Sequence, residues 1–450
     1  MSDYHKACEY IGLIPKFAAK TELNNTRAFL KLLGEPTKKY KNVHIAGTNG
    51  KGSVSKMIAL MLEEAGFRVG LFTSPHLVKM NERIAVNGED ISDEDFADYF
   101  GKVVIVVNDV CETSTGQDIA KAEGTTAASS EINGKAEAVH PAYFEFLFLM
   151  AAKYFEDRGC DYVVWETGLG GRLDATNTTQ PIVSIITSIG LDHMQYLGNT
   201  IEEIAGEKAG IIKKGVPVFY NTGDEIADAV IEKIAKEKKA KDINVAAAIL
   251  PEEEAGIIEE FAKKQTALYQ KDNAKTATAA FMEIAPVLDR EERWRCIRAG
   301  LDRFFWPGRM EEIFPGFVVD GAHNEDAVIR FAESAQEFMK KGGYEKLSLI
   351  FAVCEDKDYE SIIRTICLKL KLENVYVAEL NTARKTPAAT VVELFQNYRP
   401  AGEYWNNYGF GDLKAAVEAA LEARDEKTVL MAVGSLYLVG EIKELNPVSP

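Results

Sequence analysis

One run constrains this chain more than any other: Val43-His44-Ile45-Ala46-Gly47-Thr48-Asn49-Gly50-Lys51-Gly52-Ser53, leading into Val54 to Ala65. Its apolar start suits a buried strand and its glycines a sharp turn, after which Val54, Met57, Ile58, Met61, Leu62 and Ala65 fall on one face of a helix. Strand, glycine turn and helix in that order commit the region to an α/β fold with a parallel sheet. Gly47, Gly50 and Gly52 let backbone amides wrap an anion, the helix N-terminus adds partial positive charge, and Lys51 adds a full one. Two readings follow, a triphosphate cradle or a tight connection with nothing bound. In the common phosphate loop Ser or Thr directly follows the lysine. Here Gly52 intervenes, so the match is to a variant, with the Ser53 hydroxyl as candidate magnesium ligand.

Short β-branched runs alternate with helical patterns along the rest of the chain. They predict strands at Val69 to Thr73, Tyr162 to Glu166, Ile182 to Ser188 and Val216 to Tyr220, and a second set at Phe317 to Asp320, Leu347 to Ala352, Val375 to Glu379 and Val429 to Val433. A helical stretch, Gln265 to Val287, and a charged helix around Arg290 to Arg298 separate the sets. A chain of 450 residues exceeds what one core usually serves, and with the turn Trp306-Pro307-Gly308 closing a linker, the boundary falls near residue 302. The stretch from Glu112 to Val139, rich in Ala, Thr, Ser, Glu and Gly, has too little apolar surface to offset its ordering entropy and reads as a mobile surface insertion.

A formal net charge of −17 repels nucleic-acid phosphates, so no nucleic-acid partner is expected. A few Lys and Arg in one cleft still serve an anionic small molecule. The six cysteines are scattered without a CxxC pair, which suggests reduced thiols and neither a zinc site nor a disulfide framework. Met1 to Tyr10 lacks the apolar core of a signal peptide, and the most apolar stretch, Ala142 to Ala152, is interrupted by Glu145 and too short to span a bilayer. No membrane contact and a cytoplasmic location are expected.

Ligands of open parallel sheets lie beyond the carboxyl ends of the strands, so polar residues there carry weight. Glu166 ends the buried run Tyr162 to Trp165 and offers a hard oxygen to a magnesium ion, or else closes a structural ion pair. His193, after Ile189-Gly190-Leu191-Asp192, is either a metal ligand or a hydrogen-bonded core histidine. Ser74 ends the strand after the phosphate helix, where it reaches magnesium or simply makes a turn. Lys208, within Ile204 to Gly210, reads by itself as a solvated surface lysine. Asp320 ends a buried strand, and the turn after it presents His323 and Asn324 to a cleft or forms an Asx turn with nothing bound.

Taken together, Gly47 to Ser53, Thr73-Ser74-Pro75-His76-Leu77 with Asn81-Glu82-Arg83-Ile84, Glu166-Thr167-Gly168-Leu169-Gly170-Gly171-Arg172-Leu173-Asp174-Ala175-Thr176-Asn177, Asp320 to Asn324 and Gly434-Ser435-Leu436-Tyr437-Leu438 resemble the folylpolyglutamate synthase and dihydrofolate synthase family of Mur ligases. The resemblance spans nearly the whole chain. It implies a P-loop-type, parallel-sheet ATP-binding domain over 1–302, followed by a smaller Rossmann-like glutamate ligase domain over 303–450. It also implies roles. The loop Gly47, Thr48, Asn49, Gly50, Lys51, Gly52 and Ser53 would hold ATP phosphates, with Asn273 on adenine and Arg309, Asp320 and His323 closing from the second domain. Ser53, Ser74 and Glu166 would hold one Mg2+, and His193 a second with Lys208 as a carbamate. Phe144, next to Tyr143, and Asp174 and Ala175 would shape the pterin pocket.

This chain departs from the family at Glu325, where proline is usual, at Val433, where a smaller residue is usual, and in the acidic, shortened stretch Asp242 to Gln265. The implied reaction is ATP-dependent addition of L-glutamate to folate, with dihydropteroate as a further acceptor, by a monomer using an acyl phosphate. The rival readings are a Mur-type ligase acting on a cell-wall precursor and a non-catalytic nucleotide-binding homologue.

Overall fold

The computed structural model describes residues 2–15, 23–122 and 140–446. Its strands form two sheets. The first contains β1 (Lys41–Ala46), β2 (Val69–Phe72), β3 (Ile84–Val86), β4 (Glu89–Asp90), β5 (Tyr162–Glu166), β6 (Pro181–Ile186), β7 (Val218–Tyr220) and β8 (Asp242–Asn244), in the order β4-β3-β2-β5-β1-β6-β7-β8. From β2 to β8 every neighbouring pair is parallel, while β3 and β4 add an antiparallel edge. The second contains β9 (Glu311–Phe314), β10 (Phe317–Val319), β11 (Lys346–Phe351), β12 (Asn374–Ala378), β13 (Asn406–Phe410) and β14 (Thr428–Val433), in the order β13-β12-β11-β14-β10-β9, with only β9 antiparallel.

Helices cover both faces of each sheet, as parallel sheets require. Side chains alternate along β5: Tyr162 and Val164 pack under the helices Lys51–Glu64, Gln270–Ile284 and Arg290–Asp302, while Val163 and Trp165 face the helix Tyr143–Asp157. The second sheet lies between the helices Glu325–Gly342, Tyr359–Lys369 and Ala388–Asn397 on one face and Leu413–Glu422 and Leu436–Leu445 on the other.

The predicted strands are all present, shifted by a residue or two. Five others, β3, β4, β8, β9 and β13, are additional; β3 and β8 are only three residues long, and the other three have a physical reason for their weak signal. The strand β4 holds only two exposed acidic residues, β9 reads Glu-Glu-Ile-Phe, and β13 reads Asn-Asn-Tyr-Gly-Phe, so none shows a β-branched run. The helix Asp93–Ala122 runs through the first part of the insertion expected at 112–139, and the remainder lies outside the described residues. The acidic stretch 242–265 contains β8 and the helix Glu252–Lys264, which buries Ile257, Ile258 and Phe261 against the first core. At Glu325, the first residue of its helix, an acidic side chain complements the helix dipole where proline would have fixed φ. Among the described residues no helix is long and apolar enough to cross a membrane.

Candidate active site

The carboxyl ends of both sheets open onto one cavity of about 910 Å³. Gly47 to Ser53 line it after β1, Ser74 after β2, Glu166 at the end of β5 and His193 after β6; from the second sheet come Asp320 and His323 after β10, Lys357 after β11, Arg384 after β12 and Ser435 after β14. Asn273, Arg309, Lys208, Phe144, Asp174 and Ala175 line it too, so every candidate site residue meets at one place.

The phosphate loop is shaped by its glycines. Gly47 has φ 154, and a Cβ there would lie 1.8 Å from Thr187 Oγ1; Gly50 has φ 86, and its Cβ would lie 2.5 Å from Asn273 Oδ1. Only glycine adopts this path, which begins the helix Lys51–Glu64. Lys51 Nζ donates to the Gly47 and Thr48 carbonyls at 3.1 and 3.0 Å, folded back over its own loop. Burial lowers its pKa, opposed by Glu166 and Asp192.

The donor set near Ser53 suits a hard cation. The Ser53 hydroxyl accepts from Gln270 Nε2 at 3.1 Å, and Glu166 accepts the Ser74 amide on Oε2 at 3.0 Å, leaving Oε1 without a hydrogen bond among the described residues. Burial raises the Glu166 pKa, and Lys51 works against that. Described residues offer no group of three or more His, Cys, Asp or Glu that could cage a metal. A hydroxyl and one carboxylate fit magnesium, which keeps waters and phosphate oxygens in its shell.

Lys208 corrects the surface reading. It is 4% exposed, and its Nζ donates to the Gly47 carbonyl at 2.7 Å. Burial, reinforced by the charge of Lys51, lowers its pKa to about 7, so a neutral amine is accessible near neutral pH. His193 begins a short helix in the left-handed conformation, φ 52, and burial lowers its pKa to about 4. His323 Nδ1 lies 2.7 Å from the Gly321 carbonyl, and its pKa is likewise pushed down to about 4 by burial and by Lys357.

Two of the expected carboxylates also organise the loops that carry them. The Asp174 carboxylate accepts the amides of Gly168, Leu169 and Thr176 and the Thr176 hydroxyl, so it organises the loop after β5 and has little left for a ligand. Phe144 stands on that loop: a Cβ on Gly168 would meet its ring at 2.6 Å. Asp320 accepts the Tyr269 hydroxyl and the amides of Met310 and Ala322 at 2.8 to 2.9 Å, which pins the start of the second half.

Sequence reasoning gave no role to Asp192 or Lys357. Lys357 Nζ donates to Asp192 Oδ1 at 2.8 Å from the opposite sheet, and Asn324 Nδ2 donates to Asp192 Oδ2 at 3.3 Å. Burial alone would raise the Asp192 pKa; His323 and Lys357 more than offset it and hold the carboxyl below its usual range. Asn49 of the phosphate loop and Asn324 exchange two amide hydrogen bonds at 3.2 and 3.1 Å, and Asn49 also donates to Asp326 at 3.0 Å. The polar run after β6 was the available signal, but its partner lies 165 residues away.

Two family descriptions match this chain: "Mur ligase middle domain" over 112–282 and "Mur ligase, glutamate ligase domain" over 308–436. The class defined by fold and site is therefore that of the Mur ligases. The dihydrofolate synthase/folylpolyglutamate synthase of Bacillus subtilis is 33% identical over 463 aligned positions, covering 98% of each chain, and the folylpolyglutamate synthase of Lacticaseibacillus casei is 30% identical with the same coverage. The chain belongs to the dihydrofolate synthase/folylpolyglutamate synthase family. The folylpolyglutamate synthase of Thermotoga maritima superposes with a TM-score of 0.72 at 27% identity, covering 98% of this chain and 96% of that one. That of Mycobacterium tuberculosis, solved with ADP and AMPPCP, shares the fold with a TM-score of 0.81 at 24% identity, covering 100% and 99%.

Proposed function

We propose that this protein is an ATP-dependent ligase that adds L-glutamate to folate, with dihydropteroate as a further acceptor, through an acyl phosphate. The observation that carries the reading is the single cavity between two sheets, where a phosphate loop, an aromatic wall at Tyr143 and Phe144, and cations from the second sheet converge. The names of the relatives, including a Bacillus subtilis dihydrofolate synthase/folylpolyglutamate synthase, support the same chemistry. With the division placed near residue 302, the first part binds ATP and acceptor and the second brings the amine.

A carboxylate is a poor electrophile and must be activated before it forms an amide. Its oxygen attacks the γ-phosphorus in line and ADP leaves; the glutamate nitrogen then attacks the acyl carbon, and phosphate leaves with formation of the amide. Lys51 and the loop amides hold the phosphates and neutralise charge as it develops. Magnesium held by Ser53, Glu166 and Ser74 would supply further positive charge at the phosphoryl group, and His193 with a carbamate on Lys208 would hold a second ion. His323, kept neutral by burial, and Arg309 close over the reacting end from the second sheet, and Asn273 packs against the loop where adenine would lie. Closure excludes water, which would hydrolyse the acyl phosphate.

The test is ADP release with glutamate, comparing dihydropteroate and tetrahydrofolate as acceptors. Release that requires glutamate and either acceptor is expected. Nucleotide binding without acceptor-dependent release overturns the assignment.

A further inference from the structure

The motif Asn81-Glu82-Arg83-Ile84 has no role in the reaction as described. Arg83 is 6% exposed yet lines the cavity, with its guanidinium carbon 5.5 Å from the Tyr143 ring centre. Its Nε donates to His76 Nδ1 at 2.8 Å; among the described residues it makes no other side-chain hydrogen bond and no ion pair. Other cations in the cavity have partners: Lys357 has Asp192 at 2.8 Å, Arg384 has Asp356 at 3.3 Å, Arg330 has Glu333 at 3.5 Å, and Lys51, Lys208 and Arg309 donate to backbone carbonyls. A buried guanidinium without a direct ion pair is costly, and its planar fork matches a carboxylate.

The side chain is also pre-positioned. Glu82 accepts the amides of Leu77, Val78 and Lys79 at 2.7 to 2.9 Å, and the Thr73 amide donates to the Arg83 carbonyl at 3.0 Å, so the loop from Ser74 to Arg83 is tied at both ends. Arg83 lies against the aromatic wall at Tyr143, and its charge contributes to favouring the ionised form of Glu166.

We propose that Arg83 binds the non-reacting carboxylate of a glutamyl tail and so discriminates between acceptors. The inference rests on the ligase reading above. The reacting carboxylate must keep its oxygen free to attack phosphorus, and a guanidinium clamp would engage that lone pair; the spare carboxylate has no such need. Dihydropteroate carries one carboxylate, which reacts. Tetrahydrofolate carries two, so only it offers Arg83 a partner during the reaction.

The experiment measures affinity for tetrahydrofolate and for dihydropteroate in the presence of Mg-ADP, for the full-length wild type, Arg83→Gln and Arg83→Lys. Arg83→Gln is expected to weaken tetrahydrofolate about tenfold or more and dihydropteroate by less than about threefold, with Arg83→Lys between wild type and Arg83→Gln. Unchanged Mg-ADP affinity shows that the variants are folded. Equal weakening of both acceptors, or undiminished tetrahydrofolate binding, overturns the proposal. Should Arg83→Gln fail to fold, the Lys variant decides by the same ratio. Wild-type protein that binds Mg-ADP and neither acceptor sinks the ligase reading itself, an outcome distinct from loss of discrimination.

Discussion

Where the cavity meets the phosphate loop its wall is largely main chain, Gly47 to Ser53; where it meets the second sheet its wall is side chains, Asp320, His323, Lys357 and Arg384 from three loops. The first wall takes its path from local chain geometry, and Lys208, Thr187 and Ser188 fasten it by donating to its carbonyls. The second is held together by charge: Lys357 and His323 belong to one sheet and Asp192 to the other. A main-chain seat suits a ligand that is always the same, such as a triphosphate, whereas a side-chain wall is free to set specificity.

The sharpest way to break this contrast is at the main-chain wall. Gly47→Ala places a methyl group on Thr187 and is expected to abolish nucleotide binding in a titration. Lys51→Ala should still bind nucleotide through the amides while ADP formation falls by about 10²–10³-fold. Full nucleotide affinity in the glycine variant would show that the amides are not the seat.

Next in size is Glu166→Gln, which keeps shape and removes charge. ADP formation should fall roughly 10²-fold, and part of the loss should return at high magnesium. Insensitivity to magnesium would remove Glu166 from the metal site.

At the side-chain wall, Lys357→Met leaves Asp192 facing a cavity without its cation. Such a loss costs several kcal/mol in a dry interior; with access to solvent here, roughly 1–3 kcal/mol is expected in urea unfolding. The double variant with Asp192→Asn should cost less than the sum of the singles, and strict additivity would show that the pair is not coupled.

Lys208 gives the smallest effect, and its sign is fixed. Below a pKa of about 7 the side chain is an ammonium that cannot take up CO2, and above it the free amine can. A carbamate resonance from 13C-labelled CO2 should therefore grow as pH rises through about 7. Because the ordinary value is 10.5, the unfolded chain binds more protons between these limits, and stability should also rise with pH there. A pH-independent resonance, or none at pH 8, removes the carbamate.

Legibility in the sequence followed the same division. The strand, glycine turn and helix around Lys51 are written in consecutive residues, and the strand ends at Glu166 and Asp320 stand out because polar residues follow buried runs. Lys208 was misread from its neighbours because its burial comes from packing across the sheet, where the loop after β5 presses on its helix: a Cβ on Gly171 would lie 2.7 Å from the Lys208 carbonyl. Likewise no local pattern pairs Asp192 with Lys357, or leaves Arg83 without a direct ion pair; both facts exist only once distant loops converge. The edge strands β9 and β13 were invisible because edge positions tolerate polar sequences.

Asn49 carries a final implication. Since one amide side chain of the glycine loop also bridges to Asn324, any parting of the two sheets tugs on that loop. The loop and the second sheet therefore share one hinge point, and a change at either is felt at the other.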